Sequence, residues 1–180
     1  MTGVFARALG SSFAVLPPAV RALHQPAPRL QADGEAEVLG AETIPGRLIA
    51  WLLPFPRPAA IVPLRLEIAA ADGTEQWRRC FGPQVFASRL HAAAPGLVEE
   101  RFGPLRFRLA LQATAQGLDY RVIGWRLGAL PLPRALAPRS PAREWQDEAG
   151  RFRFEVPLLL PLLGRVVCYR GWLRLSPPPG

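Results

Sequence analysis

Residues 74–81, TEQWRRCF, carry the most chemically loaded alternation in the chain. As a strand they place Glu75, Trp77, Arg79 and Phe81 on one face and Gln76, Arg78 and Cys80 on the other. A buried charge needs a partner, and a solvated charge has no use for aromatic neighbours, so a face that mixes two large rings with an acid and a guanidinium predicts the wall of a partly enclosed space. Arg79 would there meet the polar end of a guest. Glu75 and Arg79 either pair with each other past Trp77 or pair across to neighbouring strands. The remaining groups able to move a proton are Glu99, Glu100, Asp119, His24, His91 and Tyr169, with Arg79 or Arg101 to stabilise an anion. Spacing fixes no geometry among them. Ser88 has no GxSxG elbow, and no His, Cys, Asp or Glu set has metal-ligand spacing, so neither a catalytic serine nor a metal is expected. Cys80 and Cys168 stand apart without a CxxC companion and read as buried reduced thiols.

The elements that must position these groups are set by a chain of 180 residues, 49% of them hydrophobic. That is enough for one domain over residues 1–175, with the SPPPG stretch at 176–180 expected as a disordered tail. The net charge of +8 is carried by arginine without lysine, as in a GC-rich genome. These arginines alternate with apolar residues, as at Arg106/Arg108 and Arg151/Arg153, instead of forming a run or an aromatic-basic platform, and no nucleic-acid partner is expected. The apolar runs at 12–20 and 48–66 are broken by prolines and 156–163 is short, so no transmembrane segment or secretory leader is expected and the location is read as cytoplasmic.

Two short helices are predicted over 4–9 and 17–24, the second entered through Pro17-Pro18 and ended at His24. A link at 25–31 leads to a strand at 34–40, and Leu48, Ile49, Leu52 and Leu53 predict an amphipathic helix over 46–53 that stops at Pro54. From residue 60 onward the chain is a succession of strands. Val62, Leu64, Leu66 and Ile68 alternate with charges, and Asp72-Gly73 supplies hairpin chemistry. Further strands are predicted at 85–92, 97–102, 105–111, 118–127, 151–156 and 166–175, separated by Gly-Pro, Pro-Gly and Gln-Gly corners. Residues 129–141, punctuated by Pro131, Pro133, Pro138 and Pro141, predict a loop packed on the sheet and not a central strand. Eight or nine strands joined by tight turns give a mainly β (α+β) fold. The expected form is a strongly curved antiparallel meander, an open half-barrel with short N-terminal helices, and its alternative is a closed lipocalin-like barrel.

Several short motifs fall in a telling order: Leu9-Gly10, Leu16-Pro17 with Arg21 and Leu23-His24, Gly34-Glu35, the Glu75/Trp77/Arg79/Phe81 alternation with Ser88, Glu100-Arg101-Phe102-Gly103-Pro104, Leu130-Pro131-Leu132-Pro133 with Pro138, Phe152-Arg153-Phe154, and Tyr169-Arg170-Gly171 with Leu173. Together they make nearly the whole chain resemble the domain of unknown function (DUF) 4166 family. The resemblance implies no activity. Members of that family often follow an NAD(P)-binding domain similar to saccharopine dehydrogenase, which implies a dehydrogenase-like protein as a partner in trans. This chain has no GxGxxG after an initial strand, so no cofactor is carried over.

The functional expectation is a non-catalytic binding module for an apolar or amphipathic small molecule, lined by Trp77, Phe81, Phe107, Tyr120, Phe154 and Tyr169 with Glu75 and Arg79 as the charged pair. The alternative is an enzyme acting on a small hydrophobic substrate by acid/base chemistry through Glu75 or Glu99 and His24.

Overall fold

The computed structural model of the protein describes residues 3–25, 28–52 and 55–176. Period-two alternation interrupted by glycine corners produces the strands β1 (Arg29–Leu39), β2 (Ala59–Ala71), β3 (Thr74–Phe81), β4 (Gln84–Ala94), β5 (Leu97–Phe102), β6 (Leu105–Thr114), β7 (Gly117–Leu127), the two-residue β8 (Leu130–Pro131), β9 (Ala142–Gln146), β10 (Phe152–Leu160) and β11 (Gly164–Leu175). Helices α1 (Val4–Leu9) and α2 (Pro18–Leu23), joined by a 3-10 stretch at Gly10–Val15, precede them, and α3 (Ile44–Leu52) links β1 to β2.

Each of β1 to β7 pairs antiparallel with the next, β7 pairs with β9, β9 with β10, β10 with β11, and β11 returns to β1. The ring of ten strands is closed, with β8 hanging from the end of β7. The expected open half-barrel is therefore corrected to its alternative, a closed barrel. Closure satisfies the two edges that a ten-stranded twisted sheet would otherwise leave unpaired. The strand that completes it is β9, AREWQ, which faces Leu118 and Phe154 with the same residue, Glu144. Its inward positions Glu144 and Gln146 are polar, so hydrophobic alternation gives no strand there.

The first strand starts earlier than expected. Part of the predicted link at 25–31 is strand from Arg29 on, because Leu30 and Ala32 pair with Ile68 and Leu66 of β2 and continue the inward apolar face. The helix predicted over 46–53 forms as α3 but does not bury its apolar stripe: Ile44, Leu48, Trp51 and Leu52 are all exposed, while Gly46 is the buried position. Its expected stop at Pro54 lies outside the described residues. So does most of the expected tail, 177–180, whereas Ser176 is tied to β1 through its N–H on the Gln31 carbonyl at 2.8 Å and its hydroxyl on Asp33 at 2.5 Å.

Two kinds of glycine shape the barrel. At the β2–β3 hairpin Asp72 and Gly73 both take positive φ, +49° and +75°, the pairing that matches strand twist in a two-residue turn. At the β1–β11 seam a Cβ on Gly34 or Gly171 would stand 2.0 or 2.1 Å from the Trp172 or Glu35 carbonyl oxygen, so this close approach excludes any side chain.

The two ends of the barrel differ. The turns at 72–73, 95–96 and 115–116 and the β9–β10 connection gather at one end, where α1 and α2 close it: Arg7 donates to the Gly73 carbonyl, Gly96 N–H to the Ala8 carbonyl at 2.7 Å, and Ala19 N–H to Gln146 Oε1 at 2.7 Å. Val4, Phe5, Val20 and Leu23 drop into the core beneath. The opposite end carries α3, the turns at 82–83, 103–104 and 161–163, and the proline-rich connection between β7 and β9. That connection is not a central strand, as expected, but it is only loosely packed: a backbone bridge between Arg139 and Leu159 holds it and Pro138 is buried, while Leu130 and Leu136 stay exposed. Both cysteines are free, Cys168 buried and Cys80 half-buried.

Candidate functional site

Inward alternation places three carboxylates in the barrel: Glu75 from β3, Glu100 from β5 and Glu144 from β9, none more than 9% exposed. Each accepts two hydrogen bonds, as a buried carboxylate requires. Glu75 Oε1 accepts from the Val4 N–H at 2.7 Å and its Oε2 from the Trp77 indole at 2.9 Å, so it anchors the first turn of α1 inside the barrel. Glu100 Oε1 accepts from the Ser88 hydroxyl at 2.7 Å and from Arg79 Nη2 at 3.3 Å, while Arg79 Nη1 donates to Ser88 at 2.9 Å. Glu144 Oε2 lies 2.5 Å from His24 Nε2, and its Oε1 accepts from Tyr120 at 3.3 Å.

Glu75 and Arg79 therefore do not pair with each other; both find partners elsewhere. Arg79 also lies over the Trp77 and Phe86 rings, 5.0 and 5.8 Å from their centroids. Burial is the largest influence and works against its charge, but the Glu100 carboxylate together with the nearby Tyr169 and Tyr120 side chains raises the guanidinium pKa above its ordinary value. Burial pushes the Tyr169 phenol up to about 12, and the Tyr120 phenol rises well above its ordinary value from burial reinforced by Glu144. Both tyrosines are thus protonated donors throughout the neutral range.

Between these groups lies a cavity of about 40 Å³. Leu64, Leu66, Phe81, Phe154, Val156 and Leu173 form much of its apolar wall, and Arg79, Tyr120, Glu144 and Tyr169 are its polar members. The Tyr169 hydroxyl makes no hydrogen bond to any described residue. Of the site residues expected from sequence, Trp77, Arg79, Phe81, Tyr120, Phe154 and Tyr169 come together on this cavity. Glu75 faces the same lumen but is spent on Val4 and Trp77. Phe107 stands apart, in an aromatic row with Phe102 and Trp125 toward the α3 end. Glu144 is a lumen residue that no sequence signal singles out, because it belongs to the strand whose polar alternation is silent.

The groups weighed for acid/base work are dispersed. Glu99 is on the outward face, 3.8 Å from Arg106. His24 packs among Phe5, Trp77 and Phe152 and turns its Nε2 to Glu144, while its Nδ1 is buried without a partner. Among the described residues no three His, Cys, Asp or Glu side chains converge as a metal site, and no helix is long and apolar enough to cross a membrane.

Fold and lumen together define a closed antiparallel barrel, plugged at one end by its N-terminal helices, with a small polar-edged cavity at its centre. The chain belongs to the DUF4166 family, a domain of unknown function, whose match spans residues 16–173. No curated protein and no solved structure matches the chain.

Proposed function

We propose that the barrel is a binding module for a small, uncharged amphipathic molecule held in its lumen. The observation that carries this reading is the unengaged Tyr169 hydroxyl on the wall of a cavity whose other polar members, Arg79, Tyr120 and Glu144, already have partners. Tyr169 is half-buried and its hydroxyl keeps some exposure, so this phenol without a protein partner, beside Arg79 and Tyr120, is a place for the polar end of a guest. The apolar body of that guest lies against Leu64, Leu66, Phe81 and Val156.

Charge supports a neutral ligand. Three carboxylates face the lumen against one guanidinium, and Arg79 is already engaged by Glu100 and Ser88, so an entering anion meets repulsion without a free cation. Size sets a second condition. The cavity of about 40 Å³ exceeds the ~10–15 Å³ that one water needs and falls far below the ~300 Å³ of a drug-sized site, so the guest is slender or its entry turns Phe81 aside.

Native mass spectrometry of gently purified protein tests the reading. A co-purifying small molecule, released on unfolding and reduced in the Tyr169→Phe variant, is the expected result. A bare chain mass from every preparation, with no uptake from a neutral lipid extract, overturns it.

A further inference from the structure

The outer surface of the α3 end has a character that the lumen does not explain. Ten of the twelve exposed large hydrophobic side chains among the described residues lie in the helix, turns, loop and strand ends of this end, and Val15 and Leu175 alone lie elsewhere. Ile44, Leu48, Trp51 and Leu52 recur at helical spacing on the outer side of α3, with Trp51 77% exposed. Thr43 Oγ1 donates to the Leu163 carbonyl at 3.0 Å, and Glu42 N–H to the Arg165 carbonyl at 3.1 Å, which locks the start of α3 to the β10–β11 turn. At the tip of that turn Leu162 is 100% exposed, held at φ +66°. A leucine in a positive-φ turn gains nothing from packing there.

The charge of this end is equally one-sided. Segments 40–58, 82–83, 103–104, 128–141 and 161–163 contain four arginines, Arg47, Arg57, Arg134 and Arg139, and one acid, Glu42. Glu42 is taken by Arg165 at 3.3 Å, and none of the four arginines makes an ion pair with a described residue. An in-plane helix with Trp and Leu on its outer face, flanked by free guanidinium groups, is the pattern that inserts between headgroups of an anionic bilayer. A nucleic-acid backbone would answer the arginines but leave the Ile, Leu and Trp side chains unmatched.

We propose that the α3 end of the barrel docks on an anionic lipid bilayer, with α3 lying in the interface and Leu162 dipping beside it. The proposal stands on the outer surface and is independent of the lumen reading, which mass spectrometry tests separately. The experiment is co-sedimentation of the full chain with phosphatidylcholine vesicles, with and without phosphatidylglycerol. Binding to the anionic vesicles, weakened by added salt and by at least about tenfold in Trp51→Glu and in Leu162→Glu, is expected. Val15→Glu, at the opposite end, retains full binding, and circular dichroism confirms that all three variants fold. Any of four outcomes overturns the proposal: no binding to anionic vesicles, equal binding to neutral ones, binding that Trp51→Glu and Leu162→Glu leave intact, or a vesicle-indifferent dimer that Trp51→Glu dissociates.

Discussion

Arg79 of β3 meets Glu100 of β5, two strands away, with Ser88 of β4 bonded to both between them. The side chains of this pair are 14% and 11% exposed, so removing one partner leaves the other charged and nearly dry. Arg79→Leu should lower unfolding stability by ~3–5 kcal/mol in chemical denaturation, the range for breaking a buried pair. Arg78→Leu, one residue earlier on the solvent face, removes a half-exposed pair with Glu67 and should leave the unfolding midpoint unchanged. Equal losses in the two variants would mean that the barrel does not enclose Arg79.

The chain has two tyrosines, and both sit in the lumen. Tyr169 has a folded pKa raised by burial from 10.0 to about 12, so its contribution to stability is complete below pH 10 and is lost as pH rises through about 12. Tyr120 shifts in the same direction for the same reason. Tyrosinate absorbance should therefore stay flat through pH 10 in the native protein and appear together with alkaline unfolding, whereas the urea-unfolded chain titrates near the ordinary value. About a quarter of the signal emerging by pH 10 from a folded protein, the share of one half-ionised phenol of two, would place a tyrosine in water.

Asp33 gives the acid limb. Its pKa is lowered from 3.8 to about 2, first by the Ser176 hydroxyl, then by Arg65 and Gln31. A depressed folded pKa contributes stability above pH 3.8 that is lost as pH falls through about 2. Ser176→Ala should move the Asp33 carboxyl, followed by NMR, back toward its ordinary range. An unmoved titration would mean that the Ser176 hydroxyl does not hold the Asp33 carboxylate.

Period two made β3, β6 and β7 legible, and Asp72-Gly73 announced its hairpin, because those signals are local. Closure was not local. It depends on β9, whose inward Glu144 and Gln146 carry no hydrophobic alternation, and on which strand each edge meets. The fate of Glu75 and Arg79 was hidden for the same reason. Four residues along a strand separate them by ~13 Å, beyond direct contact of ordinary rotamers, so cross-barrel register decides their partners. His24 was visible as the end of α2, but its partner Glu144 is 120 residues away in sequence. The aromatic list included Phe107, which has the right alternation and yet stands in the wrong layer of the barrel, a distinction set by strand stagger that no single strand encodes.

The claim on which the functional account rests is that the lumen accepts a neutral amphipathic guest at Tyr169. Titration of the protein with 1-decanol, followed by the fluorescence of Trp77 against a Trp77→Phe control, tests it directly. Saturable binding of one molecule per chain, weakened by about tenfold when Tyr169→Phe removes a single hydroxyl, is the predicted result. A non-saturating response, or the same affinity in Tyr169→Phe, would contradict it.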